Sequence, residues 1–106
     1  MADYSRPIKN TAYQVSISLY SFGTPGQVQR NPTIAAGDFK LNGDQSTGAP
    51  GNLATTPVLL NSASAEVKIS LANTEMNYDV VYIEWRDQTS PPEWADGSLT
   101  IFPAAS

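Results

Sequence analysis

From Ala65 to Leu71 the chain alternates without a fault. Ala65, Val67, Ile69 and Leu71 fall on one side, and Glu66, Lys68 and Ser70 on the other. A period of two sends successive side chains to opposite faces of an extended backbone, so this run reads as a strand with one face buried and one face wet. A second run, Val80 to Trp85, repeats the pattern with Val81, Ile83 and Trp85 on one face. Between them Asn73-Thr74-Glu75-Met76-Asn77 has room for one helical turn, capped by Asn73 or Thr74, that points Met76 back into the core. The expectation is strand, helical corner, strand, with the remaining segments packed around that pair.

Those segments carry the same signals more briefly. Tyr13 to Tyr20 alternates and leaves a neutral outer face of Gln14, Ser16 and Ser18. Phe39-Lys40-Leu41 reads as a short strand with Phe39 and Leu41 inward. Val58 to Leu60 reads as an edge strand, because Pro57 argues against a central one. Ser98 to Phe102 reads as the last strand, with Leu99 and Ile101 inward. Gly and Pro punctuate the rest. Thr24-Pro25-Gly26-Gln27 fits a type II turn within the long loop from residue 21 to 33. Asn42-Gly43-Asp44 fits a hairpin turn, and residues 45–52 read as a surface loop. Trp94, in a Pro-rich stretch, is expected to fold back as a lid on one end of the core. Residues 1–10 have no period, and Pro7 keeps Arg6 out of a helix.

The expected organisation is an extended N-terminal arm, residues 1–11, followed by a single domain, residues 12–106. A chain of 106 residues supports one modest core. Six or seven short strands with Gly- and Pro-rich loops make the fold class all-β: a small antiparallel β-sandwich, immunoglobulin-like or jelly-roll-like. The central strand, corner and strand look like the E to F corner of immunoglobulin-type domains. Asp79 and Tyr82 resemble that corner's Asp and Tyr, one residue short of the usual spacing, and the sandwich cysteines are missing.

Composition removes most chemistry. There is no Cys and no His, which excludes disulfides, thiolate metal sites and His-based catalysis. A net charge of −4 argues against nucleic acid as a partner. The opening Met-Ala-Asp-Tyr-Ser-Arg is too polar for a signal peptide, and no stretch approaches the ~20 apolar residues of a membrane span. The carboxylate pairs Glu84 with Asp87 and Glu93 with Asp96 have no cleft around them, and no serine has a base, so no catalytic residue and no enzyme is expected. Asp38, Asp44, Asp79, Asp87 and Asp96 fall at strand ends or in loops. They are read as turn caps rather than calcium ligands, since no EF-hand loop is present. Gly43, Gly48 and Gly51 precede no helix and so form no phosphate loop. No metal and no cofactor is expected. Tyr4, Tyr13, Tyr20, Tyr78, Tyr82, Trp85 and Trp94 could make a sugar-stacking platform. The competing reading puts Trp85 in the core, Trp94 as a lid, and Tyr20 or Tyr82 half buried with a wet hydroxyl.

Charged residues make up only 15% of the chain, against a typical ~25%. A neutral strand face, a long loop and a basic arm with Arg6 and Lys9 fit a surface that meets other proteins. A series of segments narrows the choice: Met1-Ala-Asp-Tyr-Ser-Arg-Pro-Ile-Lys-Asn, Asn31-Pro-Thr-Ile-Ala-Ala-Gly-Asp-Phe, Leu53-Ala-Thr-Thr-Pro, Ala65-Glu-Val-Lys-Ile-Ser-Leu, Glu75-Met-Asn and Asp87-Gln-Thr-Ser-Pro-Pro-Glu-Trp. In this order and spacing they resemble small β-sandwich virion structural proteins and domains of tailed bacteriophages, over nearly the whole chain. The resemblance implies a non-enzymatic structural or adaptor module with no catalytic residues. The expectation is a capsid decoration or cement protein made in the bacterial host cytoplasm and bound to the major capsid protein in the virion. Contact is assigned to Tyr4, Arg6, Pro7 and Ile8 in the arm and Gln27, Val28 and Arg30 in the loop, with a homo-oligomer in the particle. The alternatives are a tail, baseplate or fibre-attachment adaptor bound to tail or fibre proteins, and a host-glycan-binding domain.

Overall fold

A computed structural model describes residues 6–44, 51–61 and 65–105. Among these residues seven strands form: β1 (Tyr13–Ser18), β2 (Phe39–Gly43), β3 (Gly51–Asn52), β4 (Val58–Leu59), β5 (Glu66–Leu71), β6 (Val81–Trp85) and β7 (Gly97–Ile101). They make two sheets, ordered β1-β5-β4 and β3-β2-β6-β7. All pairs are antiparallel. No helix occurs among the described residues.

The alternating runs decide what lies between the sheets. Val67 and Ile69 of β5 and Val81 and Ile83 of β6 are fully buried, and with Leu71, Phe39 and Ile101 they form one core cluster. Each such side chain contributes about 1.5–3 kcal/mol relative to exposure. The strand order is the immunoglobulin one. In chain order the strands take the places B, C, C′, D, E, F and G, giving B-E-D in one sheet and C′-C-F-G in the other. β4 lies at a sheet edge, where Pro57 requires it.

Between β5 and β6 the chain makes one tight turn. The Met76 amide donates to the Ala72 carbonyl at 3.2 Å, and Met76 is fully buried. The cap is not Asn73 or Thr74. Glu75 reaches back to accept the Ala72 amide at 2.8 Å, and its other oxygen takes the Ala54 amide at 3.0 Å. Tyr82 does not form the immunoglobulin tyrosine corner: it stands on the outer face of β6, between Asn42 and Thr100. Asp79 instead pairs with Lys9 at 3.0 Å.

Two glycines read as turn or loop residues belong to strands. Gly43 ends β2, where it pairs with Val81, and a Cβ there would collide with the Tyr78 ring. Gly51 belongs to β3, which pairs through Leu41 and Lys40. Gly48 and residues 45–50 of the expected surface loop lie outside the described residues.

The inner half of the expected arm is laid along the chain's own C-terminal segment. The Ala104 amide donates to the Pro7 carbonyl at 3.0 Å, and the Lys9 amide to the Ala104 carbonyl at 2.8 Å. Ile8 forms a parallel bridge with Ala104. The Asn10 amide then donates to the Met76 carbonyl at 3.0 Å.

Candidate functional site

β1 and β6 both run toward the end of the sandwich where the segments 19–38 and 86–96 emerge. Leu19 turns inward and is fully buried, with its amide bonded to the Ala65 carbonyl at 3.2 Å. Beyond it the chain folds into a narrow hairpin. Tyr20 bridges Val28, the Ser21 amide donates to Gln27 at 2.7 Å, and the Gln29 amide donates to Leu19 at 2.7 Å. The tip is the expected turn: the Gln27 amide bonds the Thr24 carbonyl at 3.2 Å, and Gly26 takes φ +89°, as the third position of a type II turn demands. The Ser21 hydroxyl accepts the Thr24 amide at 3.1 Å.

Despite this ordered backbone the hairpin presents apolar side chains to solvent. Tyr20 is 51% exposed, Phe22 53% and Val28 38%. Gln27 and Arg30 are exposed beside them.

The segment 86–96 holds the hairpin in place. Ser21 bridges Trp94, the Phe22 amide donates to the Glu93 carbonyl at 3.1 Å, and the Ala95 amide donates to Tyr20 at 2.8 Å. Trp94, expected as a lid, goes deeper than a lid would. It is fully buried against Phe39, with ring centroids 5.8 Å apart, and its indole N–H donates to the Thr33 carbonyl at 3.2 Å. The Glu93 carboxylate accepts the Thr33 amide at 2.7 Å. Trp94 therefore cannot stack on a sugar. Trp85 is half-buried against Phe39 and over Gly97.

Two buried aspartates clamp this end. Asp87 accepts the Thr89 amide at 3.0 Å and the Glu93 amide at 2.6 Å. Burial alone pushes its carboxyl up, but the hydroxyl and amide of Thr89 with the amides of Glu93 and Trp94 outweigh that, and it titrates below its ordinary value. Asp38 accepts the Ala35 amide at 2.9 Å and the Gln88 amide at 3.2 Å. These contacts fit the turn-cap reading. Asp44 likewise accepts the Asp79 amide at 3.1 Å. Neither carboxylate pair presents two free groups, since Asp87 is spent on amides and Glu93 on Thr33.

A second, shallow feature lies on the outer face of the four-stranded sheet. It is a groove of about 460 Å³ lined by Lys40, Tyr82, Glu84, Arg86, Asp96 and Ser98 among others. Lys40, Glu84 and Ser98 form one cross-strand row, with opposite charges side by side.

The residues assigned to partner contact separate into two places. Tyr4 lies outside the described residues. Arg6 is exposed, whereas Pro7 and Ile8 are half-buried against Ala104. Gln27, Val28 and Arg30 are exposed on or beside the hairpin. The structure does not bring the two groups together. The arm meets Met76 beside the Tyr13–Leu71 end of the sheet, and the hairpin starts beyond Ser18, so the length of β1, about 17–20 Å, lies between them. Tyr20 and Phe22 escaped the sequence reading of contact residues. The signal for them was there: continued past Leu19, the alternation puts residues 20 and 22 on the wet side with Gln14, Ser16 and Ser18. Comparison of this chain with protein-family models, with curated proteins and with solved structures returns no match.

Proposed function

We propose that this chain is a non-enzymatic structural module of a bacteriophage particle, a capsid decoration protein that binds the major capsid protein through its hairpin end. The observation that carries the binding role is the hydrogen-bonded hairpin with Tyr20, Phe22 and Val28 in solvent. Exposed aromatic side chains on a fixed backbone are the kind of anchor that supplies most of the energy of a protein interface. Because Trp94, Glu93 and Asp87 already hold the loops, little ordering entropy is lost on docking. The virion setting rests on the resemblance of the sequence segments. The separation of hairpin and arm supports a module that touches different neighbours at its two ends, as a protein seated across capsomer junctions must.

The test is Phe22→Asp, alone and with Val28→Asp. Both side chains are exposed, so the melting curve should be unchanged. Binding to the shell should weaken about thirtyfold or more, the effect of losing one hot-spot residue worth about 2 kcal/mol. Normal incorporation of the double variant would overturn the hairpin as the contact. Labelled protein seen on the tail rather than the shell would replace the capsid placement with the tail or fibre-adaptor reading.

A further inference from the structure

We infer that β1 is an association edge: two copies of the chain pair antiparallel along Tyr13–Ser18, about a two-fold axis at Ser16, joining their three-stranded sheets into one. The inference goes beyond the virion reading and does not depend on it.

The ladder between β1 and β5 fixes which backbone groups are unpaired. Leu19 donates to Ala65, directly across from it in the continued register, so Leu19 and Ala65 form a hydrogen-bonded pair. Such pairs alternate along an antiparallel ladder. Ile17, Val15 and Tyr13 therefore bond to β5, and the N–H and C=O groups of Gln14, Ser16 and Ser18 point away from the sheet. No other described strand takes them, because β1 is the edge of its sheet. An immunoglobulin sandwich places its first strand at this edge. Here the described residues before β1 run beside Ala104 instead.

The core is also open along this edge. Val67, Ile69 and Leu71 of β5 are 0%, 0% and 3% exposed, but their partners Ile17, Val15 and Tyr13 are each only half-buried. Of the other edges, β3 and β4 are two residues long, and β7 is five residues long and is met among the described residues only past its end, where Ile8 pairs with Ala104. β1 runs six residues with no charge and no proline, the kind of edge that recruits another strand.

A second copy of the same strand fits that vacancy in three respects. With the axis at Ser16, Gln14 faces the partner's Ser18 and Ser16 faces the partner's Ser16. Every outward donor and acceptor is then matched, by two bonds in each hydrogen-bonded pair. Only neutral side chains oppose one another on the outer face. On the inner face Val15 lies opposite the partner's Ile17, so each copy covers the other's open core edge. Both strands are already ordered by β5, so neither loses the backbone entropy that a flexible peptide would.

The test uses the full chain in sedimentation velocity up to millimolar concentration, with amide exchange on the same samples. The expected result is a monomer–dimer equilibrium, with the Gln14, Ser16 and Ser18 amides slowing as dimer forms. Ser16→Pro should abolish the dimer and leave the melting temperature nearly unchanged, because the Ser16 N–H is not bonded to β5 and proline is tolerated at such edge positions. Ser16→Lys, which keeps the backbone intact, should weaken the dimer about tenfold by setting like charges face to face. A monomer throughout, or a dimer that survives both substitutions, would overturn the inference. Loss of the dimer with hairpin binding intact, or the reverse, separates this pairing from the virion reading.

Discussion

Asp87 shows how a single carboxylate shapes the functional end. It is buried, yet its charged form is favoured, because amides from Thr89 and Glu93 point at its two oxygens. Asp87→Ala should cost about 1–3 kcal/mol, since it leaves buried amides without acceptors. A carboxyl that titrates lower in the folded than in the unfolded chain adds stability above its unfolded pKa and loses it as pH falls through the folded one. The stability gap between wild type and Asp87→Ala should therefore be full near neutrality and close in acid, below the ordinary carboxylate range. Urea unfolding at a series of pH values measures it, and a gap that stays constant into acid would show that the ionised form is not what holds the loop.

At the scale of elements, close approach between β2 and the turn after β5 replaces a sharp hairpin at Asn42-Gly43. The Tyr78 ring occupies the space where a side chain on residue 43 would stand. Gly43→Ala should destabilise the protein by about 1–3 kcal/mol through overpacking. Gly51→Ala should stay within ~0.5 kcal/mol, because a Cβ at the exposed Gly51 meets nothing within 4 Å. Thermal melts of the two variants distinguish a packed glycine from a merely flexible one, and equal melting points would contradict the Tyr78 contact. The same logic holds across β6 and β7, where the Trp85 indole lies over Gly97. In the hairpin, by contrast, Gly26 is required by its positive φ.

For the whole molecule, the segment before β1 has a dual position. Residues 7–10 close the bottom of the sandwich through backbone bonds to Ala104 and Met76. Deleting residues 1–11 should therefore lower stability by about 2–4 kcal/mol, from backbone bonds at roughly 1 kcal/mol each and the half-buried Ile8. The Lys9–Asp79 pair, with side chains 33% and 66% exposed, adds little. In a domain of this size the melting temperature should fall by about 10 °C or more. An unchanged melt would mean that the pairing with Ala104 is not formed. Loss of particle binding after such a deletion is consequently no proof that the arm touches a partner, and surface substitutions in the hairpin are the sharper probe.

What the sequence determined by itself is what depends on neighbours along the chain. Alternation placed β1, β5, β6 and β7 and chose their inward residues. Pro25 and Gly26 specified the type II turn, and Pro57 put β4 at an edge. Gln27, Val28 and Arg30 were legible as exposed residues because a loop rich in Gly and Pro must lie at the surface. Tertiary structure alone decided what depends on residues far apart in sequence. It paired residues 7–9 with Ala104, buried Trp94 against Phe39 and under Thr33, and packed Tyr78 on Gly43. It also set the hairpin and the inner arm at opposite ends of the sandwich. The reason is physical: a period of two fixes which way a side chain points, but the identity of what it meets is fixed only when the two sheets close over one core.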